Sequence, residues 1–126
     1  MARILIIDDE ENVRATVRQM LEVAGHEVDE AAGGEDGTRR FSLHPFDLVS
    51  TDILMPGKGG LTTIRDLRER FPQARILAIS GGGKDKKLNF LSTAKTFPGV
   101  QTLEKPFSRA ALMAAVNSLR VSTAPP

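Results

Sequence analysis

The sequence predicts an α/β fold: a doubly wound parallel sheet of five strands in the order 2-1-3-4-5, covered by helices on both faces as a three-layer sandwich. Two observations carry this prediction. Short apolar runs rich in Ile, Val and Leu alternate five times with segments of helical spacing. At 126 residues the chain is long enough for one such domain and too short for two. Regular alternation of strand and helix calls for right-handed crossovers, which leave helices on both sides of a parallel sheet.

The first strand is Arg3 to Ile7, and its run Ile4-Leu5-Ile6-Ile7 suits a strand covered on both faces. Val13, Val17, Met20 and Leu21 then recur at helical spacing, and Gly25 closes that helix. The second strand, Glu27 to Ala31, is the weakest apolar run, and the flavodoxin-like order 2-1-3-4-5 puts it at an edge. A helix over roughly Glu35 to Leu43 follows, with Gly37 as an unfavourable interior residue. Asp47 to Thr51 reads as the third strand. Leu61, Ile64, Leu67 and Phe71 form the stripe of the third helix, which Pro72 ends. The fourth strand is Arg75 to Ile79. A fourth helical segment, Asp85 to Lys95, has Leu88 and Leu91 as its apolar positions and follows Gly81-Gly82-Gly83. Val100 to Leu103 is the fifth strand. The last helix carries Leu112, Val116 and Leu119, with Ser108 placed as its N-cap. Residues 1–121 are expected to form the domain and 122–126 a flexible tail.

Charge is nearly balanced, 17 Lys+Arg against 16 Asp+Glu, which gives no electrostatic reason to expect nucleic acid or a membrane surface as partner. Cysteine is absent, so disulfides and thiolate metal sites are excluded. The opening apolar run of four residues falls far short of a signal-peptide core or a membrane span, and the expectation is a soluble cytoplasmic protein.

Ligands of open α/β sheets bind beyond the carboxyl ends of the strands. Strand 1 ends in Asp8-Asp9, strand 3 in Asp52, strand 4 in Ser80 and strand 5 in Lys105. These four strands are neighbours in the expected order, so three carboxylates, a hydroxyl and an ammonium meet at one rim. Each residue alone has a blander explanation. An Asp-Asp pair caps a helix, a serine before glycines turns the chain, an isolated aspartate forms a turn, and a lysine before proline is solvated. Their joint occurrence at adjacent strand ends favours chemistry. Clustered carboxylates repel and call for a cation, and an all-oxygen set suits Mg²⁺ or Mn²⁺. His26 and His44 lie elsewhere, which disfavours zinc. A lysine and a hydroxyl beside such an ion match the needs of a phosphoryl group, which one carboxylate can attack to give an acyl phosphate.

From Arg3 to about Leu119 the chain resembles the receiver domain of response regulators. The resemblance rests on Asp8-Asp9, on Asp52 followed by Met55-Pro56-Gly57, on Ser80, and on Lys105-Pro106-Phe107. It implies that Asp52 accepts a phosphoryl group from a phosphohistidine of a sensor kinase or phosphotransfer protein. It implies direct Mg²⁺ contacts from Asp9, Asp52 and the Leu54 carbonyl, with Asp8 acting through water. Lys105 and backbone N–H groups near Ile53 and Gly81 would hold the phosphoryl oxygens, and the Lys105-Pro106 bond would be cis. Ser80 would move onto the modified aspartate, and the fourth helical segment, fifth strand and last helix would present the change to a downstream protein or output domain.

The chain departs from the family pattern at Thr102, where an aromatic switch residue is usual, in its run of three glycines after Ser80, and at Leu54 near the approach of water. Lys84, Lys86 and Lys87 form a basic run that reads as a solvated face. Competing readings are a receiver that serves only as an interaction platform, a flavodoxin-like cofactor-binding module using the glycine run, and a haloacid-dehalogenase-like phosphatase. The last lacks its second aspartate, because Leu54 stands there.

Overall fold

The computed structural model describes residues 2–53, 59–80, 97 and 99–121. The expectations for Leu54, Met55 to Gly57, Gly81 to Gly83, the helix over Asp85 to Lys95 with its basic run, and the tail at 122–126 lie outside the described residues. The elements are β1 (Arg3–Ile7), α1 (Glu11–Val23), β2 (Glu27–Ala31), α2 (Gly34–Leu43), β3 (Leu48–Asp52), α3 (Gly60–Arg70), β4 (Ile76–Ser80), β5 (Val100–Glu104) and α4 (Arg109–Val121). The strands form one parallel sheet in the order β2-β1-β3-β4-β5. β3 and β4 each sit one residue further along the chain than the apolar runs suggested. The pairing of Asp52 with Ile79 draws the aspartate into the ladder.

Strand alternation sorts the core into two layers. Ile4, Ile6, Leu48, Leu77 and Ile79 face α1 and α4, where they meet Val17, Leu21, Leu112, Val116 and Leu119. Leu5, Ile7, Val49, Ile76 and Ala78 face the other way, toward Phe41 of α2 and Ile64 and Leu67 of α3. Each of these fully buried Leu or Ile side chains contributes about 1.5–3 kcal/mol. β2 has only Ala31 buried, as befits an edge strand.

Local chemistry explains the helix boundaries. α1 ends in a paired motif: Gly25, at φ 96°, donates its N–H to the Glu22 carbonyl while His26 donates to Leu21. Ser108 caps α4 by accepting the Ala111 N–H at 3.0 Å. Gly37, unfavourable by propensity, has a packing reason. A Cβ there would lie 2.3 Å from Ile7 Cδ1, so the glycine lets α2 close on β1.

The end of α3 depends on Arg68. Its guanidinium donates to the Pro72 carbonyl at 2.7 Å, the Ala74 carbonyl at 2.7 Å and, more weakly, the Phe71 carbonyl at 3.4 Å. It thereby ties the α3–β4 connection to the helix it follows. No helix among the described residues is long and apolar enough to cross a membrane. Arg68→Ala removes the bonds to the Pro72 and Ala74 carbonyls and is expected to cost about 1–3 kcal/mol, while the Phe71 carbonyl keeps the Ala74 N–H. Urea melts followed by circular dichroism measure this, and an unchanged midpoint would deny the role.

Candidate functional site

Strand register builds the site. β1 and β3 run in parallel up to the pair Ile7↔Thr51, so the next residues, Asp8 and Asp52, stand side by side. β4 and β5 end at Ser80↔Glu104, and Lys105 is the residue that follows. The Lys105 N–H donates to the Ser80 carbonyl at 2.7 Å, and the Lys105-Pro106 peptide is cis. From there the ammonium reaches back across the rim, with Nζ 3.5 Å from Asp8 Oδ2 and 3.7 Å from Asp52 Oδ1. Asp8, Asp9 and Asp52 each offer a carboxylate oxygen within 4.8 Å of the other two.

The carboxylates differ in their surroundings. Asp8 and Asp52 are only 4% and 6% exposed, while Asp9 opens to solvent. Asp8 is fixed by its own loop and by β2: its Oδ1 accepts the Glu10 N–H at 2.9 Å, and its N–H donates to the Ala31 carbonyl at 3.1 Å. The simple capping explanation therefore fails. Glu10 is the N-cap residue of α1, and no side chain caps that helix. Asp52 Oδ1 is buried without a hydrogen-bond partner among the described residues. A charged oxygen so placed is costly unless compensated. The cluster thus fits a hard divalent cation: every donor is a carboxylate oxygen, one of them has only the distant Lys105 ammonium for compensation among the described residues, and one side is open.

Asp52 shows the strain in its proton affinity. Burial, with the nearby Asp8 and Asp9 charges adding to it, raises its pKa from 3.8 to about 6, although Lys105 and the Ile53 N–H oppose the rise. Lys105 alone does not neutralise the site.

The remaining predicted residues are placed as follows. Ser80 is buried at the end of β4, one position beyond Ile79, the partner of Asp52. Ile53 is buried, and its N–H donates to the Ile79 carbonyl at 2.9 Å. Thr102 is half-buried in mid-β5, paired with Ala78, and stands apart from the carboxylates. Leu54 and Gly81 lie outside the described residues.

Sequence reasoning missed Gly60. A Cβ at this position would lie 2.2 Å from the Asp52 carbonyl oxygen and 2.4 Å from Ile53 Cα, backbone atoms that cannot swing aside. Only glycine lets the first turn of α3 abut the strand end that carries Asp52, where the Gly60 N–H donates to the Ile53 carbonyl at 2.8 Å. The adjacent glycines Gly59-Gly60 at a helix start were the available signal.

The raised Asp52 pKa has a definite sign in stability. Between about pH 4 and pH 6 the folded protein keeps a proton that the unfolded chain has released, so stability falls as pH rises through this window. Above it the full cost of the buried charge is present. Asp52→Asn is expected to raise the melting temperature of metal-free protein at pH 7.5 by several degrees, and this gain should vanish near pH 4. A gain equal at both pH values would contradict the assignment.

Comparison with known proteins agrees with this geometry. The response regulator receiver domain family matches residues 4–117. The chain is 32% identical over 118 residues to the chemotaxis protein CheY of Bacillus subtilis, covering 91% of this chain and 94% of that one. It superposes on a response regulator receiver domain protein of Clostridium thermocellum with a TM-score of 0.87 and 29% identity, covering 95% and 94% of the two chains. It also superposes on the response regulator TrrA of Thermotoga maritima, solved in complex with Mg²⁺-BeF, with a TM-score of 0.84 and 30% identity over 94% of this chain and 99% of that one. These matches extend over both core layers and every strand that contributes to the rim. The chain belongs to the response regulator receiver domain family of two-component signalling.

Proposed function

We propose that this chain is a phosphorylation-activated switch in which Asp52 takes a phosphoryl group from a phosphohistidine of a sensor kinase or phosphotransfer protein. Residues 1–121 serve as the receiver unit in this reading. The supporting observation is the meeting of three carboxylates with Lys105 around a buried oxygen of Asp52 that accepts no hydrogen bond among the described residues.

In the transfer, an Asp52 carboxylate oxygen attacks phosphorus. The new O–P bond forms as the P–N bond breaks, and the departing imidazole nitrogen keeps the electron pair and takes up a proton. Asp8, Asp9 and Asp52 would hold Mg²⁺, which when bound neutralises phosphoryl charge and keeps Asp52 ionised. Lys105 supplies a second cation to the phosphoryl oxygens. The Ile53 N–H could join it only by sharing or releasing its bond to Ile79.

Ser80 is the group on β4 suited to hydrogen-bond the modified aspartate. Its backbone is bonded to Lys105, so movement there reaches the start of the β5–α4 connection. β5 and α4 then belong to the surface a downstream protein or output domain senses. Thr102 gives this chain a small polar residue where an aromatic would otherwise couple the two. The acyl phosphate carries about −2 where the carboxylate carried −1, and adds acceptor oxygens at a crowded rim, a change large enough to bias a two-state loop. The protein acts on itself and on no external substrate.

Treatment with acetyl phosphate, read by intact mass, tests the proposal. Modification is expected only with Mg²⁺, with Asp52→Asn abolishing it and Lys105→Ala slowing it about 10-fold or more. Modification that survives Asp52→Asn would refute the role of Asp52.

A further inference from the structure

We propose that Arg14, on α1, is a positioning residue for the acidic pair: its bridge from Glu30 to the Asp8 carbonyl sets the geometry, and hence the affinity, of the metal-binding carboxylates. This rests on the metal site proposed above.

Asp8 lies just beyond the last residue of β1, so the sheet alone does not orient it. Its N–H is held by the Ala31 carbonyl at the end of β2, at 3.1 Å. Its carbonyl is held by Arg14 Nη1 at 2.8 Å, while Arg14 Nε donates to Glu30 Oε1 at 2.9 Å. Both sides of the Asp8 backbone are thus referred to β2, once directly and once through the guanidinium. The Asp8 carbonyl also belongs to the peptide plane that leads into Asp9. Fixing that plane fixes where Asp9 begins, and Asp9 is the one carboxylate of the three that is open to solvent.

Glu30 is itself braced. Its second oxygen accepts Arg18 Nη1 at 2.8 Å, and Arg18 Nε continues to Glu22 Oε2 at 2.9 Å. Arg18 and Arg14 together hold the Glu30 carboxyl below the usual glutamate range. The Arg14 side chain is 16% exposed and that of Glu30 27%, against 40% for Arg18, so the chain of pairs becomes more enclosed as it nears Asp8. An isolated exposed ion pair contributes little. A planar guanidinium that spans a carboxylate and a carbonyl in fixed directions does something an ammonium cannot. Groups that orient metal ligands from outside commonly change affinity about 10–100-fold when altered.

Charge and geometry act in opposite directions here, which makes the idea decidable. Removing a cation near a metal site tightens metal binding by charge alone, whereas loss of the bridge loosens it. The test is Mg²⁺ titration by calorimetry at fixed ionic strength on wild type, Arg14→Lys, Arg14→Ala and Arg18→Ala, each checked for folding by circular dichroism. The chain has no Trp or Tyr to report by fluorescence. Arg14→Lys keeps the charge and is expected to weaken Mg²⁺ about tenfold, while Arg18→Ala stays within about twofold of wild type. Arg14→Ala, where folded, should also weaken it. Arg14→Lys binding as wild type does, Arg14→Ala binding more tightly, or Arg18→Ala weakening as much as Arg14→Lys would each overturn the positioning role while leaving the metal site in place. Wild type that fails to bind Mg²⁺ would overturn the metal site itself and this inference with it.

Discussion

One electrostatic constraint organises the structure: two aspartates are buried side by side at the end of a parallel sheet, a third stands within 4.8 Å, and among the described residues one lysine, Lys105, faces them. Parallel register imposes this arrangement. Once Ile7 pairs with Thr51 and Ser80 with Glu104, the next residue on β1, β3 and β5 meets at one rim whatever its chemistry. In this chain those residues are charged. The unfavourable part is the raised pKa of Asp52 and a buried oxygen with no hydrogen bond among the described residues. A site that is uncomfortable alone is one that a cation relieves.

The apolar layers make the discomfort tolerable. Asp52 ends a strand whose five residues are all buried, packed between the two halves of the core. The scaffold is held by close approaches as much as by area. Gly37 admits α2 onto Ile7, immediately before Asp8, and Gly60 admits α3 onto the backbone of Asp52. Both glycines serve strand ends that carry a carboxylate. Arg14 performs a polar version of the same task at the Asp8 turn. Fixed positions matter in such a site because the charges cannot relax apart, so each interaction with an incoming group is strong.

Much of this was legible in the sequence because it is local. The apolar run Ile4-Leu5-Ile6-Ile7, the stop at Gly25 and the cap at Ser108 each depend on residues within a turn of one another, and each stands where the pattern put it. The rim was legible for a different reason: the sheet order follows from five alternating elements, and the strand ends then converge without further information. What could not be read depends on partners far along the chain. The one-residue displacement of β3 and β4 comes from their mutual pairing. The need for glycine at 60 comes from the Asp52 carbonyl, and the purpose of Gly37 comes from Ile7. Nothing in the local sequence marks Arg14, because Glu30 lies 16 residues away and the bond to Asp8 goes to a backbone atom.

The Asp52 charge is held at a cost that a bound divalent ion would remove. Carbon-detected magnetic resonance of the Asp52 carboxyl, titrated with and without Mg²⁺, tests it most directly. The expected result is an apparent pKa of about 6 in the metal-free protein, falling into or below the ordinary aspartate range of about 4 when Mg²⁺ is present. A carboxyl that titrates at the same pH in both conditions would contradict it.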